Sequence, residues 1–310
     1  MTAQTIIPAT ANPRATQSVT HRRFITRYPV TAFLVMVFTF AWTTIGPLLL
    51  SQQGFGVLPI TLPVQPFITL ASYIGLALPA FLVMAALHGR VGVQDLLRRS
   101  LRWRVGFPWY LVALFGLFVT VIVAALPFVG LAPLAQVAQK WPLLFTVFLP
   151  GVLVPFLLIN LPEEIAWTGF LQATWQRRYG PVWASVMVAP IFVLIHLPAY
   201  FVAGWLNDER ISFDQYPTLL IQIGLTIVFS LFFRLLIMWL YNSTRGSLLI
   251  VGLFHSAFNM SSGQQITPVF IPGPTALWLN LFVVAVTAAL AVLITAFTKG
   301  RLAYKPAATE

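Results

Sequence analysis

The chain has 310 residues, of which 59% are hydrophobic and only 8% charged, with a net charge of +11. A soluble domain carries about 25% charged residues, so this composition excludes a soluble exterior, and lipid must solvate most of the surface. The lack of cysteine excludes disulfides, thiolate metal sites and a Cys nucleophile. The basic excess lies between apolar segments without an aromatic-interleaved stripe, so no nucleic-acid partner is expected.

Residues 1–27 are polar, Thr/Ala-rich and basic through Arg14, Arg22, Arg23 and Arg27. They read as a disordered cytoplasmic tail. The apolar run 29–50 is as long as a full span and has no clean cleavage site after it. It reads as an uncleaved first helix. A transmembrane helix takes about 20 apolar residues at 1.5 Å each. By that rule the spans fall near 29–50, 66–87, 108–130, 143–176, 181–200, 218–241, 246–263 and 275–298. The expected fold is all-α, a polytopic integral membrane protein with about eight transmembrane helices. One transmembrane domain is expected over 28–299, followed by a short tail over 300–310.

Two stretches need their own account. The fourth segment is too long for one straight span and contains Pro155 and Pro162. Proline removes a backbone donor and bends a helix. This predicts a long kinked helix, or a short helix followed by the true span. Val91–Arg104 mixes Leu96, Leu97, Leu101 and Trp103 with four arginines. It reads as an amphipathic helix on the inner membrane surface, or as a solvated basic loop.

Loop charge sets the expected orientation. With the N-terminus inside, the inner segments hold Arg90, Arg98, Arg99, Arg102, Arg104, then Arg177, Arg178, Arg245, and finally Lys299, Arg301 and Lys305. The outer loops hold only Lys140 and Arg210, the latter beside Asp208, Glu209 and Asp214. This follows the positive-inside rule. Both termini are expected in the cytoplasm, with the bacterial plasma membrane as the location.

Ionisable side chains within apolar segments are costly and point to function. Away from helix ends these are Glu163, Glu164, His196, Arg234 and His255, with His88 at an inner boundary. Adjacent helical residues point about 100° apart, so Glu163 and Glu164 suit two different roles. By four-residue spacing Glu163 shares a face with Trp167, and Glu164 with Thr168 and Gln172. His255 and Asn259 also lie four apart. The bland alternatives are boundary carboxylates, a structural core histidine and helix–helix polar glue. Taken together, Glu, two His and Asn from three helices can activate a water and hold the oxyanion formed when it attacks an amide. Glu163, His196 and His255 also suffice as ligands of a catalytic divalent metal such as zinc.

These residues fall in three ordered motifs: Glu163-Glu164-Ile-Ala-Trp-Thr168, Phe192-Val-Leu-Ile-His196 and His255-Ser-Ala-Phe-Asn259. They resemble EExxxR, FxxxH and HxxxN of the CAAX-protease and bacteriocin-processing (CPBP) family of intramembrane proteases, which includes the type II CAAX prenyl endopeptidases. The resemblance covers about 157–260, including GFLQATWQRRYGPVWAS and WLYNSTRGSLL. It implies an endopeptidase acting on a membrane-associated peptide or protein. It also implies that Glu163 activates water with help from His196, and that His255 and Asn259 bind the oxyanion. A metal reading of the family makes Glu163, His196 and His255 ligands instead. Thr168 stands where the family has Arg, which leaves Glu164 without its expected partner. Arg234 is expected to take that place, the alternative being that it snorkels to the inner boundary. The departure keeps open a non-catalytic scaffold or bacteriocin-immunity-type protein of the same fold. A proton-coupled transporter would require an inverted repeat, and none is visible.

Overall fold

The computed structural model describes residues 24–206, 209–212, 215–261 and 265–306. Most of the expected basic tail, with Arg14, Arg22 and Arg23, lies outside these residues, as do Asp208 and Asp214. Among the described residues the secondary structure is helical, with no strand. The protein is an all-α integral membrane protein.

Helix α1 is Pro29–Leu50 and α2 is Val64–Ser100. The latter breaks at Gly89, whose φ of 58° and ψ of −144° suit only glycine. Beyond the break the chain stays helical to Ser100, so Arg90–Ser100 forms a helix and not a solvated loop. It buries Leu96 and exposes Leu97 on its other face. Helix α3 is Phe107–Val129, and α4, Ala132–Lys140, is a short helix within an expected outer loop. Helix α5 runs from Leu144 to Phe201 and reverses at Gly180, where φ is 80° and ψ 165°. Then come α6 (Tyr216–Ser243), α7 (Leu248–Met260) and α8 (Ala276–Phe297).

All eight expected apolar segments contain helix, and among the described residues six helices are long and apolar enough to cross a membrane. The difference lies in two places. The fourth and fifth segments are two helices that abut at the Gly180 kink with no loop between them, and so count as one run. The seventh has only 13 residues, and 250–258 are all buried. A helix shielded by protein all round need not match the bilayer's thickness.

The fourth segment is a long distorted helix. Wide π-helical turns occupy Leu144–Phe148, Phe156–Asn160 and Ile165–Gln172, around prolines 150, 155 and 162. Proline lacks the N–H that would close a regular turn, and wide turns leave carbonyls under-used. Other helices supply the donors. Ser256 Oγ bonds the Val152 carbonyl at 2.6 Å, Tyr73 Oη that of Leu157 at 2.7 Å, and Arg99 that of Gly169 at 2.9 Å. In hydrocarbon such satisfaction is obligatory. It also pins this segment, which carries both glutamates, on several sides.

The bundle has two distinct ends. At one, loop 51–62 meets loop 200–211. Ala203 N–H donates to Gln53 O at 2.9 Å, Arg210 bonds the Gly54 carbonyl, and Ile45, Leu48, Ala71 and Val202 cluster with Trp205. At the other, Arg99 donates to Tyr241 Oη at 2.8 Å, Ser247 Oγ to Arg102 O at 2.6 Å, and Asn242 to Leu302 O at 3.0 Å. The second end also holds a hollow of about 700 Å³ lined by Arg99, Arg245 and Lys305 among others. None of the motif residues touches it.

Candidate active site

The two arms of α5 and helix α7 bring the motif residues together. Glu163 and Glu164 sit in α5 just before its longest π-helical stretch. His196 caps the returning arm of α5, with Pro198 blocking further regular helix. His255 lies midway along α7. The close approach of α7 depends on Gly252, where a Cβ would meet Phe156 ring carbons at 3.1 and 3.2 Å and Leu161 Cα at 3.3 Å. That contact sets α7 against the turn carrying the glutamates.

The two glutamates have different environments. Glu164 is fully buried and locked. Its Oε1 accepts from His255 Nδ1 at 2.7 Å and from Arg234 at 3.1 Å, and its Oε2 from Arg234 at 3.0 Å and Thr168 Oγ1 at 2.5 Å. Arg234, also wholly buried, stacks over the Phe192 ring with its guanidinium carbon 4.2 Å from the centroid. So Arg234, from α6, partners Glu164 as its charge required, and Thr168 supplies a hydroxyl where the family motif has Arg. The snorkelling alternative is ruled out.

Glu163 has no such lock. Its Oε1 lies 3.8 Å from His196 Nε2 and its Oε2 lies 3.8 Å from His255 Nδ1. His196 Nδ1 donates to the Phe192 carbonyl at 2.7 Å, one helical turn back. This explains the FxxxH spacing: the backbone fixes the ring and leaves Nε2 facing Glu163. Glu163, His196, His255 and Asn259 all line one cavity of about 460 Å³. Asn259 is the exposed one of these four. The rest of the wall is largely aromatic, with Phe192, Phe229, Phe233, Phe258, Tyr200 and Trp205.

Sequence reasoning missed Asn160. It is 2% exposed, lines the same cavity, and its Oδ1 has no hydrogen-bond partner among the described residues. The signal was present: an amide inside the apolar run FLLINLP, three residues before Glu163 and so on its face.

The donor set does not fit a three-ligand metal centre as arranged. Among the described residues no three His, Asp or Glu side chains are placed to hold a metal ion. The nitrogen that His255 turns toward Glu163 is Nδ1, already engaged by Glu164. A metal held between Glu163 and His255 as they stand would need the lone pair of that same nitrogen.

Residues 140–261 match the family model of the type II CAAX prenyl endopeptidases, Rce1-like. Over that segment the chain is similar to this family. No curated protein matches it. The Rce1-like segment runs from the end of α4 through α7 and so contains Glu163, Glu164, His196, Arg234, His255 and Asn259.

Proposed function

We propose that the protein is an intramembrane endopeptidase of the glutamic type, hydrolysing a peptide bond in a membrane-associated protein or peptide. One observation carries the reading: Glu163 stands between His196 and His255 in a cavity wall, while the adjacent Glu164 is committed to Arg234. A 3.8 Å gap between polar atoms is too long for a direct hydrogen bond and suits a bridging water.

The chemistry follows from the partners. Glu163 takes a proton from that water as its oxygen attacks the scissile carbonyl carbon, and the carbonyl becomes an oxyanion. His196 Nε2 orients the water, receives the abstracted proton from Glu163, and passes it to the departing amine as the C–N bond breaks. Glu164 accepts from His255 Nδ1, which holds the ring in place, and Nε2, when it carries a proton, is a donor for the oxyanion. The Asn259 amide is the second donor. The Arg234 pairing gives Glu164 a cation despite the departure at Thr168, which supports the catalytic reading over a non-catalytic scaffold.

The test is cleavage of a library of bilayer-anchored peptides by the purified protein in bicelles. Wild type should cut, and Glu163→Gln should be slower by about 10²–10⁴-fold, the usual contribution of general base catalysis. Equal rates for the two proteins would contradict the proposal.

A further inference from the structure

We infer that the basic end of the bundle binds one anionic glycerophospholipid. Its phosphate sits in the hollow of about 700 Å³, and an acyl chain lies in an apolar groove leading from that hollow along the span. No motif residue lines either part, so the site stands apart from the endopeptidase reading.

The hollow forms where four chain segments end. Arg99 closes α2, Trp109 opens α3, Tyr241 and Asn242 close α6, and the tail after α8 brings Lys305. Arg245 adds a cation from the turn between α6 and α7, and none of the lining residues is Asp or Glu. The Arg99 guanidinium is already oriented. Its Nε pairs with Asp95 at 2.9 Å, and its Nη1 donates to Gly169 O at 2.9 Å and to Tyr241 Oη at 2.8 Å. That leaves Nη2 for a ligand oxygen. Asp95 offsets the charge of Arg99, so the unpaired charge belongs to Arg245 and Lys305. Both are exposed and form no ion pair among the described residues. The tail is fixed in place: Leu302 is wholly buried, and its carbonyl accepts from Asn242 at 3.0 Å.

The groove, of about 130 Å³, lies where α3, α6 and α8 meet, with Gly116, Thr120, Leu236, Leu290 and Ile294 in its walls. All three helices carry it away from the hollow into the span. Along α3, Gly116 lies about 10 Å beyond Trp109, and along α6, Leu236 lies about 9 Å before Asn242, at 1.5 Å per residue. Leu290 and Ile294 belong to the last turns of α8, just before the tail. The two parts adjoin at a pair of rings. Trp109 lines the hollow, Trp239 lines the groove, and their centroids are 5.6 Å apart. Tryptophan is enriched at headgroup level, and basic pockets between spans hold anionic headgroups. Gly116 keeps the groove open, since a Cβ there would meet nothing nearer than Val112 of its own helix at 3.7 Å. A free phosphate would leave the groove unused, and a neutral lipid would leave Arg245 and Lys305 without a counter-charge. An anionic phospholipid satisfies both parts.

The test is native mass spectrometry of the full chain in detergent, titrated with phosphatidylglycerol or with phosphatidylcholine of the same acyl chains. Each cation at a headgroup contributes about 5-fold in affinity, so two give phosphatidylglycerol an advantage of about 30-fold. Arg245→Gln combined with Lys305→Gln should bring the two lipids near parity without changing the melting temperature, because both side chains are exposed. Lys305→Gln alone should remove about 5-fold of the preference. Gly116→Leu, which fills the groove, should weaken both lipids and keep their ratio. Equal affinity of the wild type for the two lipids would overturn the inference, as would an unchanged preference in the Arg245 and Lys305 variants. Glycerol 1-phosphate at equal concentration should not displace phosphatidylglycerol. Displacement would assign the hollow to a free phosphate and overturn the lipid assignment.

Discussion

At the scale of single residues, the site is an exercise in giving each buried charge one partner. Glu164 draws on side chains from three helices: Thr168 from its own, Arg234 from α6 and His255 from α7. Removing one member of a buried pair costs about 3–5 kcal/mol, because the other charge is left uncompensated in low dielectric. Arg234→Met should therefore lower thermal stability by about that amount and abolish cleavage. Thr168→Arg in the same background restores a cation one turn from Glu164, the place where the resembled family carries it. Partial recovery of melting temperature and activity in the double variant is the expected outcome. Full activity of Arg234→Met alone would show that Glu164 needs no cation.

At the scale of elements, the contact between α7 and α5 sets the spacing of the reacting groups. Gly252 stands against Phe156 and the Leu161 backbone, two residues before Glu163. Gly252→Val must push the helices apart, since the neighbour includes main chain. A displacement of about 1 Å costs about 10²-fold in rate. Steady-state kinetics should show that loss in kcat with KM little changed, while the variant remains folded. The elements also show what the sequence could and could not convey. Segment positions were legible because an apolar run of bilayer length is an unambiguous signal. The partner of Glu164 was legible because a lone arginine in FSLFFRLLIMW demands a carboxylate. The π-helical turns of α5 were not, because they depend on donors such as Tyr73 and Ser256 arriving from distant helices. The shortness of α7 was hidden too, since burial by neighbours removes the length requirement that the prediction assumed. Asn160 was passed over because it carries no charge, although its place one turn before Glu163 obeys the same face rule.

At the scale of the whole molecule, one end gathers the basic side chains and a broad polar hollow, and the other opens the cavity that holds the motif residues. The distorted α5 links the two, with Glu163 partway along and Gly169 bonded to Arg99 near the basic end. On the proposed function, this arrangement keeps Glu163 among membrane-spanning helices yet beside a cavity that water can enter from one end, as hydrolysis inside a membrane would require. Its central claim is that Glu163, with no metal ion, activates that water. The most direct measurement is single-turnover cleavage by exhaustively chelated protein, wild type against Glu163→Gln. The account predicts that chelated wild type keeps its rate while Glu163→Gln falls by about 10²–10⁴-fold. A chelated wild type that loses activity and regains it with added zinc would contradict it.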